Sequence, residues 1–271
     1  MPELPQPVPS LRLRAIDGYG VDCLDSDTTS EDRRGTMPKA TKKRVHRSKA
    51  EQRAESIEQI LDVAEYLFSR NGLHGVTLSD VAKQVGIHTT LVHYYFKDKQ
   101  HLFESVFARR AGVSSGARMA ALEKYEAEAG DQPTVEGALH AFLDTDFDLY
   151  VAGGENWMNY AAFGARVSNT PEGAALMDVY FDPVVLKLVS ILKRALPDHS
   201  DQDIFWGYHF VTGALMNTLA RTGRIDRLSG GLCHSDDFMA VKQRMAKFMA
   251  AGFLSFAPQP AAKARTKAKR G

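Results

Sequence analysis

The chain has few of the features that would place it outside the cell or in a membrane. It contains only two cysteines, Cys23 and Cys233, which lie far apart, so no disulfide framework is expected. No apolar stretch approaches the roughly 18 to 20 residues of a membrane span. The first residues also lack the basic and then apolar pattern of a signal peptide. These absences predict a protein of the cytoplasm.

Signatures of catalysis are missing too. The chain has no nucleophile elbow, no glycine loop that would cradle a phosphate and no paired metal-ligand spacing. The loop 230–237 brings Cys233, His234 and two aspartates together, but a structural zinc site needs four ligands in paired spacings. A flexible turn before a helix is the better interpretation of this loop. The sequence therefore predicts no enzyme, no metal, no cofactor and no catalytic residue.

Net charge is low, at +1, but the basic residues are segregated. We predict a basic arm over 37–53 and a basic disordered tail over 258–271. Their basic residues are Lys39, Lys42, Lys43, Arg44, Arg47, Lys49 and Arg53 in the arm, and Lys263, Arg265, Lys267, Lys269 and Arg270 in the tail. Such an arm can run along DNA phosphates or enter the minor groove. A solvated low-complexity segment is an equal alternative for the arm and the favoured interpretation of the tail.

Residues 1–36 combine scattered prolines, an acidic run and no sustained hydrophobic period. Such a composition cannot bury a core, so we predict a disordered extension. Met37 then begins Met-Pro-Lys-Ala-Thr-Lys-Lys-Arg, and the hypothesis is that Met37 is the functional start. Mass spectrometry of the native protein tests this hypothesis, which an intact N-terminus at Met1 would contradict.

The stretch from Thr77 to Phe96 is typical of two short helices joined by a tight turn. Thr77 and Asp80 have the spacing of a capping box, and Gly86 ends the first helix because glycine adopts a left-handed conformation without steric cost. The second helix, at about 88–95, carries the polar or aromatic side chains of Thr89, Thr90, His93, Tyr94 and Tyr95. Small hydroxyls and an imidazole suit the major groove, and tyrosines suit the phosphates at its edge. The pattern predicts a helix-turn-helix, although ordinary helical hairpins share this spacing.

Two flanking helices make a complete DNA-binding domain, predicted over 54–110. An apolar stripe precedes the motif and ends at Asn71-Gly72, a C-cap signal; its members are Ile57, Ile60, Leu61, Ala64, Leu67 and Phe68. After the motif, Asp98 is positioned to cap a further helix that begins at Lys99.

These residues resemble the tetracycline-repressor (TetR) family of bacterial regulators over about 55–107. The resemblance is carried by Ile60-Leu-Asp-Val-Ala-Glu-Tyr-Leu-Phe68, Asn71-Gly72, Thr77, Val81-Ala82, Val85-Gly86-Ile87 and His93-Tyr-Tyr-Phe-Lys-Asp-Lys99. It implies an all-α homodimer, with a three-helix DNA-binding head and a C-terminal helical domain for ligand binding and dimerisation. It also implies that the dimer binds a near-palindromic operator in double-stranded DNA.

The resemblance assigns roles to eight residues. Thr77 and Ser79 are implied contacts to the DNA backbone, and Thr89, Thr90 and His93 are the base-facing candidates. Tyr95 and Lys99 are implied phosphate anchors, whereas Tyr94 is either a phosphate contact or a core residue. One departure concerns the N-cap of the second helix, where the family often has Ser or Asn and this chain has His88. A base contact, a phosphate contact and a solvent-facing role all stay open for that histidine.

The C-terminal region, 111–257, is predicted to be helical throughout. We expect three helices at about 115–129, 134–151 and 155–167. A fourth begins at Thr170-Pro171, breaks after Phe181 and continues to Pro197. The last two run from Ser200 to about 222 and from a cap at Ser235 or Asp236. The last two are amphipathic, with Phe205, Trp206, Phe210, Leu215 and Leu219 on one and Phe238, Val241, Met245, Phe248, Met249 and Phe253 on the other. The family implies that they pair between subunits, and a purely intramolecular core is the alternative.

An effector pocket is the least constrained expectation. The candidate lining residues are Phe147, Trp157, Tyr160, Phe163, Arg166, Trp206, His209 and Phe210. Core packing is the commoner explanation for each aromatic, and a satisfied structural role is the commoner one for Arg166 and His209. The segment 203–214 is weakly similar to the fatty-acid-responsive branch of the family. The prediction is a dimeric repressor released from DNA by a hydrophobic small molecule; a constitutive dimeric DNA-binding protein without a pocket is the alternative.

Overall fold

The computed structural model describes residues 48–256, and within that range the chain forms eleven α-helices and no strand. The all-α prediction is confirmed. The expectations for 1–36, for 37–47 and for 258–271 lie outside the described residues. In the described part, no helix combines the length and apolarity needed to cross a bilayer.

Three helices form the N-terminal head. They are α1 (Lys49–Asn71), α2 (Leu78–Val85) and α3 (Thr89–Tyr95). Helix α1 begins well before the apolar stripe, because Ser48 and Glu51 form a capping box: Ser48 Oγ accepts from the Glu51 N–H at 3.1 Å, and the Ser48 N–H donates to Glu51 Oε2 at 2.7 Å. The last part of the predicted basic segment, from Lys49 to Arg53, is therefore helical.

Helix α4 (Lys99–Ala129) is one continuous helix of 31 residues, capped by Asp98. The separate helix expected at 115–129 was wrong. Gly112 and Gly116 lie inside the helix, and nothing lies within 4 Å of where their Cβ atoms would be. A glycine costs an interior helical position only about 1 kcal/mol, so packing along the rest of the helix outweighs the local signal. The boundary predicted near residue 110 falls within this helix.

The C-terminal helices follow the predicted order closely. They are α5 (Val135–Ala152), α6 (Gly154–Val167), α7 (Pro171–Tyr180), α8 (Asp182–Ala195), α9 (Asp201–Leu219), the short α10 (Arg224–Leu228) and α11 (Phe238–Leu254). The predicted break before Pro183 is confirmed at Phe181. Helix α10 was not anticipated, and α11 is capped by Asp237 instead of Ser235 or Asp236.

The buried residues form one continuous apolar cluster from Ile60 in α1 to Phe253 in α11. Helix α6 packs against α1, where the Phe163 ring lies 6.2 Å from that of Phe68 and 5.1 Å from that of Phe103. The N-terminal head and the C-terminal helices therefore share one core.

An ion-pair network also joins α1 to α4. Arg109 donates to Asp62 Oδ1 at 2.8 Å and to Glu65 Oε2 at 3.0 Å, and Arg110 Nε donates to the same Glu65 oxygen at 2.8 Å. Burial works to lower the pKa of Arg109, but Glu65 and Asp62 more than offset it and raise that pKa above its ordinary value. The Arg110 guanidinium also lies 5.1 Å from the centre of the Trp157 ring in α6. Arg110 therefore contacts both the head and the C-terminal domain.

Candidate DNA-binding surface and effector cavity

The turn between α2 and α3 sets the angle of the second helix. Gly86 adopts a left-handed conformation, with φ 82° and ψ 32°, and its N–H donates to Ala82 O at 2.9 Å. The predicted capping box of α2 is present: Thr77 Oγ1 accepts from the Asp80 N–H at 3.1 Å, and the Thr77 N–H donates to Asp80 Oδ2 at 2.9 Å. Hydrogen bonds from Thr77 hold the pKa of Asp80 below its usual value.

Helix α3 has one buried and one exposed side. Val92 is fully buried and anchors the helix to the head. Thr90, His93 and Tyr94 are all exposed, and their spacing of three and four residues places them on one face. His88 stands at the N-cap without a side-chain cap hydrogen bond. The structure thus presents a short face of hydroxyl, imidazole and phenol groups to solvent.

The other predicted DNA contacts are also at least partly accessible. Thr77 and Ser79, at the start of α2, are exposed, whereas Thr89, Tyr95 and Lys99 are half-buried. The Tyr94 and Tyr95 rings are in edge-to-face contact at 5.2 Å. Tyr94 is 71% exposed, so it is not a core residue of the described chain.

One further basic residue joins this surface. The guanidinium of Arg53, in α1, lies 5.8 Å from the centre of the Tyr95 ring. The sequence placed Arg53 in the basic arm, with no sign that it lies beside α3. Its position there depends on the N-terminal extension of α1, which the capping box at Ser48 could have indicated.

A cavity of about 270 Å³ lies among α4 to α9. Its aromatic lining residues are Phe107, Phe142, Tyr150, Tyr160, Phe181 and Tyr208, and its charged ones are Arg118, Asp146, Asp178 and Asp182. This volume is close to the lower end of the roughly 300–1,000 Å³ of small-molecule sites. The mixture of apolar walls and a few polar groups is typical of such a site.

A buried ion pair forms one wall of this cavity. Arg118 pairs with Asp146, and their side chains are only 5% and 2% exposed. Asp146 also accepts from Ser114 Oγ at 2.7 Å and from the Tyr150 hydroxyl at 2.9 Å. The Arg118 guanidinium lies 4.4 Å from the centre of the Phe142 ring, but its Nε has no acceptor in the described part of the chain. Burial, and then the Asp146 charge, raises the pKa of Tyr150 well above its usual value, so this phenol stays protonated.

The lining differs from the predicted pocket, of which only Tyr160 belongs to it. Phe147 packs on Phe238, Trp157 lies against Tyr160 outside the cavity, and Phe163 is in the core between α6 and α1. Arg166, Trp206, His209 and Phe210 are exposed and do not line this cavity.

Arg118 and Asp146 were missed, although a signal for Asp146 exists. It lies four residues from both Phe142 and Tyr150, so a carboxylate interrupts the buried stripe of α5. An acidic residue at such a position needs a buried partner. The identity of that partner depends on how α4 and α5 pack.

Aromatic side chains cover the outer face of α9. Phe205, Trp206 and Phe210 are 45%, 51% and 55% exposed, and the Trp206 and Phe210 rings are stacked at 6.1 Å. Phe248 and Leu254 of α11 are exposed as well. A purely intramolecular core was the alternative for these two helices, and the exposure of these side chains in the described subunit argues against it for them. A contiguous apolar surface of this kind is typical of a protein interface.

Two family models match the chain. Residues 60–106 match the model of bacterial regulatory proteins of the tetR family, and residues 140–252 match the tetracyclin repressor-like C-terminal domain. A curated relative, the HTH-type transcriptional regulator BetI of Escherichia coli O157:H7, is 27% identical over 177 residues, which are 65% of this chain and 87% of BetI.

Solved structures with partial similarity include two regulators with bound ligands. FadR from Bacillus subtilis, in complex with stearoyl-CoA, is 20% identical with a TM-score of 0.45, over 72% of this chain and 98% of that one. A putative transcriptional regulator from Saccharomonospora viridis, in complex with choline, is 18% identical with a TM-score of 0.45, over 72% and 96% of the two chains.

Proposed function

Since this chain belongs to the TetR family of transcriptional regulators, we propose that it is a homodimeric repressor that a small molecule releases from its operator. The observation that carries the DNA-binding role is the exposed face of α3, where Thr90, His93 and Tyr94 lie together beyond the buried Val92. Because its target is DNA, the proposed place of action is the cytoplasm, at the nucleoid.

The proposed DNA contacts are of two kinds, those to the bases and those to the sugar-phosphate backbone. Thr90 and His93, with Thr89 beside them, face the bases of the major groove. Thr77, Ser79, Tyr94 and Tyr95 contact the sugar-phosphate backbone, as does Lys99 at the N-terminus of α4. Arg53 is added to this group because it lies against Tyr95. The short side chains on α3 leave room for apolar contact with thymine methyl groups and for recognition of DNA shape.

Dimerisation uses the apolar outer face of α9 and α11, around Trp206, Phe210 and Phe248. Gly207 lets the two helices approach closely within a subunit, since a Cβ there would overlap the Phe253 ring. A two-fold dimer can then place its recognition helices about 34 Å apart, in successive major grooves of a near-palindromic site.

Release from DNA depends on α6. Tyr160 of α6 lines the cavity, and Phe163, one turn further, packs on Phe68 and Phe103. Trp157 of the same helix contacts Arg110, which is bound to Glu65 in α1. A ligand that displaces Tyr160 therefore shifts the support of α1, and with it the spacing of the two recognition helices. The effector must favour the altered arrangement to act in this way.

The experiment selects bound sequences from random duplex DNA with the full chain and then tests His93→Glu. A carboxylate in the major groove opposes the phosphates and base acceptors, so selected sites should lose all specific binding. Glu136→Gln, far from α3 in the chain, is the control. Specific binding that survives in His93→Glu, with an unchanged circular dichroism spectrum, would contradict the assignment of α3.

A further inference from the structure

The charge of the cavity lining has a definite sign. Three carboxylates, those of Asp146, Asp178 and Asp182, face a single guanidinium, that of Arg118, and the lining has no other Lys, Arg or His. Asp146 and Arg118 are paired with each other inside the cavity. The uncompensated charge therefore comes from Asp178 and Asp182.

These two aspartates lie at the solvent side of the cavity. Both are exposed, Asp178 near the end of α7 and Asp182 at the start of α8, and neither has an ion-pair partner among residues 48–256. The charge of Asp182 reaches Tyr208, where it contributes to raising the pKa of the phenol, of which burial is the main cause. A molecule that enters the cavity thus passes two unneutralised carboxylates.

The walls behind this entrance are aromatic. The Phe107 ring lies 6.1 Å from the ring of Tyr160 and 6.2 Å from that of Phe181. The faces of aromatic rings attract cations, most strongly where water is excluded. The chain already uses this interaction, since the Arg118 guanidinium lies over Phe142. Burial raises the pKa of Tyr160, so its phenol adds a neutral ring and no charge of its own.

One polar group in the lining lacks a partner. Arg118 is almost wholly buried, yet its Nε has no hydrogen-bond acceptor in the described structure. A buried donor without an acceptor is costly, and an oxygen atom of a bound ligand would supply the missing acceptor. Asp146 already compensates the charge of Arg118, so a neutral oxygen atom is sufficient as the acceptor.

We propose that the cavity binds a small organic cation, an ammonium compound with a neutral acceptor oxygen, whose charge is selected by Asp178 and Asp182 and by the aromatic walls. This inference rests on the proposed role of the cavity as effector site. This ligand class differs from the fatty-acid type that the weak similarity of segment 203–214 suggests. A fatty acid or an acyl-CoA would bring an anionic group to an entrance that is already negative. Cation–π attraction and the two carboxylates act in the same direction.

The test compares three ligands that differ mainly in charge. They are phenacyltrimethylammonium, its neutral carbon isostere phenyl neopentyl ketone, and the anion 3-benzoylpropionate; each has an aryl ketone oxygen. Isothermal titration with the full chain should show that the cation binds at least about tenfold more tightly than the isostere, with the anion weakest.

Variants then locate the origin of this preference. In the double variant Asp178→Asn/Asp182→Asn, the ratio of cation to isostere affinity should fall at least about threefold. Glu172→Gln removes an exposed carboxylate of α7 that is not in the lining, and should leave the ratio unchanged. Both changes are at exposed positions, so unchanged thermal unfolding without ligand confirms that the variants are folded.

Each other outcome overturns the inference. If the isostere or the anion binds as tightly as the cation, the assignment of charge is wrong, while the cavity keeps its role as effector site. If the preference survives in the double variant, the two aspartates do not select the ligand. If none of the three ligands binds, the proposed ligand class is wrong. DNA binding is measured separately and does not depend on these results.

Discussion

Replacement of Asp146 by leucine should destabilise the protein strongly, because it leaves the Arg118 guanidinium buried without its counter-charge. Arg118 is 95% buried, since only 5% of its side chain is exposed, and Asp146 is its single ion-pair partner in the described structure. Ser114 and Tyr150 lose their acceptor at the same time. Leucine has the same number of side-chain heavy atoms as aspartate, so a large cavity is not created.

The expected magnitude follows from this burial. Removal of one partner of a buried ion pair costs about 3–5 kcal/mol. The double variant Arg118→Met/Asp146→Leu no longer contains a buried charge at this site, and should recover at least about 2 kcal/mol even though Ser114 and Tyr150 still lack an acceptor. For a domain of about 150–250 residues, 1 kcal/mol corresponds to about 2–4 °C, so a loss of about 4 kcal/mol lowers Tm by roughly 8–16 °C.

Urea unfolding followed by circular dichroism measures these differences. Protomer concentration must be the same in every sample, because the stability of a dimer depends on it. Asp148→Ala is the matched control: it removes an exposed carboxylate of the same helix, which pairs with Lys242 at 2.5 Å and is 58% exposed. Exposed ion pairs contribute at most about 1 kcal/mol. The reasoning is refuted if Asp146→Leu costs no more than Asp148→Ala, or if the double variant is no more stable than Asp146→Leu.

Three further predictions concern DNA, assembly and pH. Lys99→Ala should weaken binding to all DNA sequences alike and, in fluorescence anisotropy, reduce the slope of log K against log salt by about 1. Lys124→Ala, at the far end of α4, should change neither. An unchanged slope in Lys99→Ala would exclude a phosphate contact. Phe210→Glu should convert the dimer to a monomer in analytical ultracentrifugation, and Leu232→Glu, at a more exposed apolar site in the loop after α10, should not. A dimer in both variants would exclude the α9 face. The free energy of unfolding should fall as pH rises above about 10, by up to about 1.4 kcal/mol per pH unit for Tyr160, because the phenol ionises there in the unfolded chain while burial raises its pKa in the folded protein. Tyr160→Phe should make this fall shallower in urea unfolding, and an equal dependence on pH in both proteins would contradict the prediction.

The DNA-binding head was predictable because its signals are local. The capping box of Thr77 and Asp80 and the left-handed Gly86 each act within a few residues, and both are as expected. The break at Phe181 is equally local, since Pro183 cannot continue a helix without a lost hydrogen bond. Such features depend on residues that are close together in the chain and need no knowledge of distant contacts.

The cavity and the outer face of α9 were decided by tertiary structure. Hydrophobic periodicity predicts that Trp206 and Phe210 share an apolar face, but it does not distinguish the core of one subunit from the surface between two. In the same way, Asp146 interrupts a buried stripe, but only the packing of α4 against α5 brings Arg118 to it. The sequence by itself determined most of the helices, the helix-turn-helix motif and the family. Packing of helices distant in the chain decided which side chains surround the cavity, and hence the charges in its lining.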